Sequence, residues 1–319
     1  MATPINPQEI YLLERYTSLE YLGELRDAWE AMIKHVEHCL DGFMRNLPPD
    51  YRRRPLHEQP DAVWGQRVLP NFRDTFKSLC DGYIQLSHGD VVGLGCAHGP
   101  SNDFKGQMDF WAGWMSEADE EMYRQLMGIA TQKASNINFT EGANWDHGNL
   151  STRYQERSRG PLNPPANWPT YRLVQTVKVA SGAPLPKSGI YLPDIDESCA
   201  EFLSMDYDEA PKASVFIGMK DRIHPVTHLK YDELAIHEKR PCVWTLIERV
   251  SDAGGAATHP TLLAHKSHRV PAGQPCPETG YYFTPAHADS HRKFNQGEIM
   301  PEFNAKYGAT IWQRDSQQD

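Results

Sequence analysis

The spacing of apolar residues changes near residue 134, and this change limits the fold more than any other feature of the chain. Before it, apolar side chains recur every three or four residues, which is the period of an amphipathic helix. After it, short β-branched and aromatic runs are separated by turns that contain Pro and Gly. The sequence therefore predicts an α+β fold, with a helical bundle in the N-terminal half and an antiparallel sheet in the C-terminal half. We expect a helical domain at 1–135, a connector at 136–170 and a β-rich domain at 171–319.

The N-terminal half contains helix start and stop signals. Asn6 is a good N-cap and Pro7 a good first helical residue, and apolar residues then recur at helical spacing as far as Leu47. We expect this helix to break near Thr17 and to end before Pro48, because proline cannot continue it. Three further helices are expected, over 70–86, after a cap at 101–103 and after a cap at Ser116.

A glycine-bearing segment, SHGDVVGLGCAHGP at 87–100, lies between two of these helices. It lacks the third glycine of a dinucleotide-binding fingerprint and the Lys-Ser/Thr pair of a phosphate-binding loop. We therefore expect a flexible connector here.

The C-terminal half contains runs that are rich in β-branched and aromatic residues. Segment 234–237 is compatible with a short helix or with a turn. Five strands are predicted, at 171–179, 213–217, 243–250, 280–284 and 309–313.

Composition restricts the classes of partner. Asp and Glu number 42 against 32 Lys and Arg, so the net charge is -10. Direct nucleic-acid binding is disfavoured, because phosphate contacts need a basic face, whereas a basic protein is a suitable partner. The six cysteines form no CxxC pair, the N-terminal residues do not resemble a secretory signal, and no apolar run is long enough to span a membrane. A cytoplasmic protein is expected.

The acidic stretch from Asp194 to Glu209 contains seven carboxylates and no Lys or Arg. Apolar residues are interleaved with them, which favours a surface that binds a basic partner, with Phe202 and Tyr207 as anchors. A solvated acidic loop is the plainer interpretation. The predicted binding residues are Asp194, Asp196, Glu197, Glu201, Phe202, Asp206, Tyr207, Asp208 and Glu209.

The 14 histidines raise the question of a metal site. His35 and His38 lie on one side of the first predicted helix and could share a zinc ion, although ordinary surface histidines are the plainer interpretation. His224 and His228 have a four-residue spacing, but the intervening proline disfavours the helix that this spacing requires. Cys242 lies in an apolar run and is expected to be buried and inert. No nucleophile, base and orienting residue can be named together, so we expect no catalytic residue, no metal ligand and no cofactor.

The C-terminal half contains six short sequence motifs that are distinctive as a set. They lie at 188–193, 198–203, 243–250, 273–285, 294–301 and 307–313. Together they resemble the immunity proteins of bacterial polymorphic toxin systems, in particular those classed as immunity types seventy-one and seventy-two. The helical half fits that layout more loosely, and the tyrosine pair at 281–282 and the His-rich, insertion-like stretch 221–237 depart from it.

The resemblance implies a function. Such immunity proteins bind and neutralise a toxin, often one delivered by a type VI secretion system, and are generally binders and not enzymes. A cytosolic location together with an acidic surface suggests a nuclease toxin, whose substrate groove must be basic. Whether the protein plugs the active site or blocks it from outside is left open, as is homodimerisation through the first helix. A metal-dependent hydrolase that reverses the toxin's modification is the alternative.

Overall fold

The chain forms two compact units, Met1–Ala257 and Thr258–Asp319. The computed structural model describes residues 3–250, 269–284, 290–302 and 310–314. The first unit therefore contains all the helices and two sheets among these residues, and the second contains one sheet.

The helices occupy the N-terminal half, as predicted. Between α2 and α6 the chain also forms short 3-10 helices at Tyr51–Arg53, Leu56–Glu58 and Val91–Ala97, and a π-helix at Trp64–Val68. The α-helices are α1 (Pro7–Tyr16), α2 (Leu19–Arg45), α3 (Pro60–Val63), α4 (Leu69–Ser87), α5 (His98–Gln107), α6 (Glu117–Glu141) and α7 (Glu156–Arg159).

The predicted start and break of the first helix are confirmed. The Asn6 side chain accepts a hydrogen bond from the Gln8 backbone N–H at 3.0 Å, and Pro7 is the first helical residue. The chain leaves the helix at Thr17 and starts α2 after Ser18, whose hydroxyl caps the new helix. These small polar residues satisfy backbone groups that a helix end leaves without partners.

The helical core is built around α2, which packs against both α4 and α6. Trp29 of α2 is fully buried, and its indole N–H donates to the Phe72 carbonyl at 2.9 Å. The two rings lie edge to face with centroids 5.2 Å apart. Burial of such a side chain contributes roughly 1.5–3 kcal/mol, and the hydrogen bond prevents the cost of a buried unpaired N–H.

Two sequence predictions in this half are wrong. The cap predicted at 101–103 lies inside α5, because the 3-10 helix Val91–Ala97 leads directly into α5 and Ala97 already has helical backbone angles. The segment 87–100 is not a loose connector, because that 3-10 helix packs closely on α4. A Cβ atom on Gly93 would lie 2.4 Å from the Gly82 carbonyl oxygen, so this contact requires glycine.

The described strands all lie in the C-terminal half. Five overlap the five predicted strands, although Ala309 falls outside the described residues. Segment 234–237 is part of β5, and neither a helix nor a turn. The strands are β1 (Tyr171–Ala180), β2 (Gly189–Pro193), β3 (Glu201–Leu203), β4 (Ala213–Ile223), β5 (Lys230–Arg240), β6 (Val243–Arg249), β7 (Arg269–Pro271), β8 (Gly280–Phe283), β9 (Arg292–Phe294) and β10 (Ile311–Arg314).

Every strand pair is antiparallel, which confirms the predicted α+β class. The first unit contains a four-stranded sheet of order β1-β6-β2-β3 and a separate hairpin, β4-β5; the second contains a four-stranded sheet of order β7-β10-β8-β9. The first sheet shares one core with the helices, because Ile190 and Phe202 pack in the same buried cluster as Leu13 and Trp145. The predicted connector at 136–170 therefore falls inside the first unit.

The second unit has a small aromatic core of its own. The Phe294 and Trp312 rings lie edge to face with centroids 4.8 Å apart, and the Trp312 indole N–H donates to the Pro301 carbonyl at 2.9 Å. Its buried residues are Val270, Cys276, Tyr282, Phe294, Met300 and Trp312.

The contact between α4 and the 3-10 helix gives a test of the fold. Gly93→Ala is expected to destabilise the protein by about 1–3 kcal/mol, because the new methyl group must push two backbones apart. Gly95→Ala is the matched control, since a Cβ atom there meets nothing within 4 Å. Urea denaturation of both variants measures the difference, and equal midpoints would contradict the close contact.

Candidate protein-binding surface

The acidic stretch folds into two exposed loops separated by a buried strand. Strands β2 and β3 pair with Tyr191 opposite Glu201. The side chains of Glu201 and Phe202 are only 4% and 1% exposed, so two of the nine predicted binding residues lie in the core. The acidic loops are residues 194–197 before β3 and 205–209 after it.

The first acidic loop is fixed to the sheet and to the start of β4. The Asp194 carboxylate accepts a hydrogen bond from the Val243 N–H at 2.8 Å. Glu197 has a φ of 56°, in the left-handed region that side chains other than Gly and Asn rarely adopt, and its carbonyl accepts from the Phe216 N–H at 2.8 Å. Its carboxylate is exposed, and Asp196 is half-buried. This loop therefore presents carboxylates from a defined backbone.

The second acidic loop is a turn that Ser204 stabilises. The Ser204 hydroxyl donates to Asp206 at 2.6 Å. Asp206, Asp208 and Glu209 are exposed, whereas Tyr207 is half-buried and packs on the core of the first sheet. Tyr207 therefore anchors this turn to its own chain, and the carboxylates around it face the solvent.

The loop 142–155 between α6 and α7 connects the buried strand to the helices. Glu201 accepts from the Trp145 N–H at 2.8 Å, and the Ser151 hydroxyl donates to Glu9 at 2.6 Å. Burial raises the pKa of Glu9, and it raises the pKa of Glu201 well above its usual range. The second carboxyl oxygen of Glu201 has no hydrogen-bond partner among the described residues. A neutral carboxyl at Glu201 fits this environment, and its role is to fix the loop.

Strands β4 and β5 form a long hairpin that no third strand joins in the described part of the chain. Large apolar side chains on this hairpin are exposed: Val226 and Leu229, in the connecting loop 224–229, are 79% and 68% exposed. Several exposed apolar side chains along one surface element are typical of a site that binds another protein. The exposed apolar residues are Ile217, Met219, Ile223, Val226, Leu229, Tyr231 and Leu234.

The charged residues of the hairpin pair with one another. Arg222 lies 3.4 Å from Asp232, and Lys230 lies 2.7 Å from Asp221. Because these pairs are exposed, each contributes little to stability. They leave the hairpin nearly neutral.

The base of the hairpin is held against the loop 142–155. The Phe216 ring contacts two imidazoles, with its centroid 6.3 Å from that of His147 and 5.7 Å from that of His237. The Ser214 hydroxyl donates to Asp146 at 2.8 Å, and the His237 Nδ1 lies 3.6 Å from the same carboxylate. Burial lowers the pKa of His237, although Asp146 opposes this effect. The hairpin therefore has a fixed base and an exposed end.

One group in the described residues has the composition of a metal site. His35 and Cys39, one turn apart on α2, lie near Asp119 in the first turn of α6, and their ligand atoms are within 4.8 Å of one another. His35 Nε2, however, is 2.8 Å from the Asp119 carbonyl oxygen, and the Asp119 carboxylate accepts from the Ser116 hydroxyl. A metal ion would have to displace the first of these bonds. The arrangement is that of a hydrogen-bonded contact between helices.

The other candidate ligands lie outside this group. His38 is exposed on α2 and is absent from this group. His224 begins the hairpin loop, where its Nδ1 accepts from the backbone N–H of Val226 and of Thr227 at 3.3 and 3.2 Å. Burial raises the pKa of Cys242, which fits an inert thiol.

Comparison with known proteins identifies no relative: no family model, curated protein or solved structure matches the chain. Among the described residues, every helix is too short or too polar to span a lipid bilayer.

The hairpin is the candidate feature that the sequence reasoning missed. Strand β4 continues to Ile223, beyond the predicted 213–217, and β5 has no counterpart among the predicted strands. The signal was available in the opposite charges of Asp221 and Lys230, and of Arg222 and Asp232, because such pairs favour adjacent strands.

The buried carboxyl of Glu201 predicts a pH dependence. Because its folded pKa lies well above the ordinary 4.5, the folded state holds a proton that the unfolded state loses as the pH rises. Its contribution to stability is present below pH 4.5 and falls as the pH rises through the folded pKa. Glu201→Gln should therefore reduce the loss of stability between pH 5 and pH 8.

Glu201→Ala is the companion variant. It leaves the Trp145 N–H without its acceptor and is expected to cost about 1–3 kcal/mol at either pH. Urea unfolding at the two pH values measures both variants. An unchanged pH dependence in Glu201→Gln would show that this carboxyl does not titrate differently in the two states.

Proposed function

We propose that this chain is an immunity protein that binds and neutralises a toxin acting in the cytoplasm, and that it does so by direct contact without a reaction of its own. The resemblance of its C-terminal sequence motifs to those of polymorphic-toxin immunity proteins suggests this function. The observation that supports it best is the β4–β5 hairpin, whose apolar side chains are exposed. We assign the main contact to the outer part of this hairpin, residues 217–234.

Three arguments favour the hairpin as the principal contact. Exposed apolar side chains supply binding free energy when a partner removes them from water, whereas exposed charges contribute mainly to association rate. In addition, the fixed base reduces the conformational entropy that is lost on binding. Antiparallel strands with open edges can also accept a strand from the partner.

The acidic loops supply the electrostatic part of the proposal. Loop 194–197 adjoins the hairpin base through the bond between Glu197 and Phe216, and loop 205–209 precedes β4 by a few residues. Carboxylates beside an apolar contact favour a basic partner and steer its approach. A nuclease effector of a type VI secretion system is the proposed partner, because a nuclease needs a basic groove for its substrate.

The alternative function, a metal-dependent hydrolase, has less support. The His35, Cys39 and Asp119 group is the one in the described residues with a suitable ligand set, and one of its ligand atoms already takes part in a hydrogen bond between two helices. Binding is therefore the function that the geometry supports best.

The hairpin contact is tested with the product of the gene adjacent to the one that encodes this chain. The double variant Met219→Ser, Leu229→Ser is expected to weaken binding by about tenfold or more, which is ~1.4 kcal/mol or more, because both side chains would be buried by the partner. Met122→Ser, Leu56→Ser is the matched control: Met122 and Leu56 are 46% and 71% exposed, against 51% and 68% for the hairpin residues. Calorimetry measures both, and equal affinities would remove the hairpin from the proposal.

The acidic loops make a separate prediction about rate. The variant Glu197→Gln, Asp208→Asn, Glu209→Gln should bind more slowly at low salt and should show a weaker dependence of the association rate on ionic strength. Its dissociation rate should change little. Surface plasmon resonance at two salt concentrations measures this. The same salt dependence in the variant and the parent protein would show that these carboxylates do not steer the partner.

A further inference from the structure

Three metal-ligating side chains meet where α2 packs against α6, and none of them belongs to the proposed toxin contact. His35 and Cys39 are four residues apart and therefore project from one face of α2. Asp119 lies in the first turn of α6, and the ligand atoms of the three residues are within 4.8 Å of one another. All three residues are half-buried, so an ion can reach this group from the solvent.

The separation of two of these ligand atoms matches a zinc site. The His35 Nε2 and Cys39 Sγ atoms are 3.6 Å apart. Zinc binds an imidazole nitrogen at about 2.0–2.1 Å and a thiolate sulfur at about 2.3 Å, and a tetrahedral angle between these bonds separates the two atoms by about 3.5–3.6 Å. Helix α2 therefore already holds this pair at the spacing that zinc requires.

The Asp119 carboxylate has an oxygen available as the third ligand. Its Oδ2 atom accepts from the Ser116 hydroxyl at 2.6 Å, whereas its Oδ1 atom accepts no hydrogen bond within the part of the chain that the structure describes. A hydrogen bond to the other oxygen orients a carboxylate ligand at a metal. Ser116 is itself held in place, because its hydroxyl also caps α6 by accepting from the Asp119 N–H at 3.2 Å.

One hydrogen bond competes with a metal ion for this group. The His35 Nε2 atom lies 2.8 Å from the Asp119 carbonyl oxygen, and a nitrogen that donates there cannot also bind an ion. Coordination requires the imidazole proton to move to Nδ1 and the Cys39 thiol to release its proton to the solvent. A single part-buried hydrogen bond is weak beside coordination by three ligands, so the exchange favours the ion.

We propose that His35, Cys39 and Asp119 bind a zinc ion that links α2 to α6. A thiolate, an imidazole and a carboxylate together suit zinc, whereas magnesium and calcium take oxygen ligands. Three protein ligands leave the fourth tetrahedral position to water. Because the ligands come from two packed helices, the ion stabilises the helical core, whether or not a toxin is bound.

Cobalt is a spectroscopic probe of the thiolate ligand. The reduced full chain, treated with a chelator and then with Co²⁺, should develop a thiolate-to-cobalt charge-transfer band in the near ultraviolet. Added Zn²⁺ should remove this band by displacing cobalt, and added Mg²⁺ should not. Calorimetry measures the zinc affinity. The absence of both the cobalt band and zinc binding, which a plain hydrogen-bonded contact between helices would give, would overturn the proposal.

Substitutions with matched controls locate the ion. Cys39→Ser should abolish the cobalt band, and both Cys39→Ser and His35→Ala should weaken zinc binding by about tenfold or more. His38→Ala replaces an exposed histidine of the same helix, and Cys80→Ser replaces a half-buried thiol of α4; both should bind zinc as the parent does. Parent-like zinc binding in Cys39→Ser and His35→Ala would show that the ion occupies another place, as would loss of the band in Cys80→Ser alone.

The link between the helices has its own readout. Zinc should raise the urea midpoint of the parent protein and should leave that of Cys39→Ser unchanged, because a ligand that binds only the folded state stabilises it. Asp119→Asn retains the size of the side chain and the carbonyl that His35 contacts, so it tests the third ligand in a folded protein. It should weaken zinc binding by about tenfold or more. Equal zinc affinity in Asp119→Asn and the parent would remove α6 from the site and contradict the proposed link.

Discussion

The hydrogen bonds of the loop 142–155 are the interactions on which the rest of the first unit depends. Residues of this loop form hydrogen bonds with Glu201 of β3, with Glu9 of α1 and with Ser214 at the start of β4. The helices, the first sheet and the hairpin therefore meet at one segment. Carboxyl groups with raised pKa values form two of these contacts. The loop is therefore held by buried polar groups whose desolvation is offset by hydrogen bonds.

The hydrogen bonds of the loop 142–155 explain how the base of an isolated hairpin can be ordered. A two-stranded ribbon is only marginally stable by itself in water. Here Phe216 contacts two imidazoles at the base, and charge pairs join the strands farther out. The apolar side chains at the exposed end are then presented on a backbone that is already ordered. That arrangement is consistent with a protein that acts through contact with another protein.

Local signals predicted part of the fold well. The Asn6 and Ser116 caps and the break at Thr17 depend on neighbouring residues, and each is where the sequence placed it. Strand β3 escaped prediction because its three residues are all buried, so no alternation reveals it. The charge of Glu201 predicts a surface position, whereas tertiary packing gives it the Trp145 N–H as a partner. Composition indicates how many charges a stretch contains, but not which of them the fold encloses.

We propose that the outer part of the β4–β5 hairpin contacts a toxin. Hydrogen–deuterium exchange of this chain, alone and with the product of the adjacent gene, tests it most directly, because bound backbone amides exchange more slowly. New protection is expected across residues 217–234, with smaller changes at 194–197. Protection confined to the helices, with the hairpin exchanging as it does in the free protein, would contradict it.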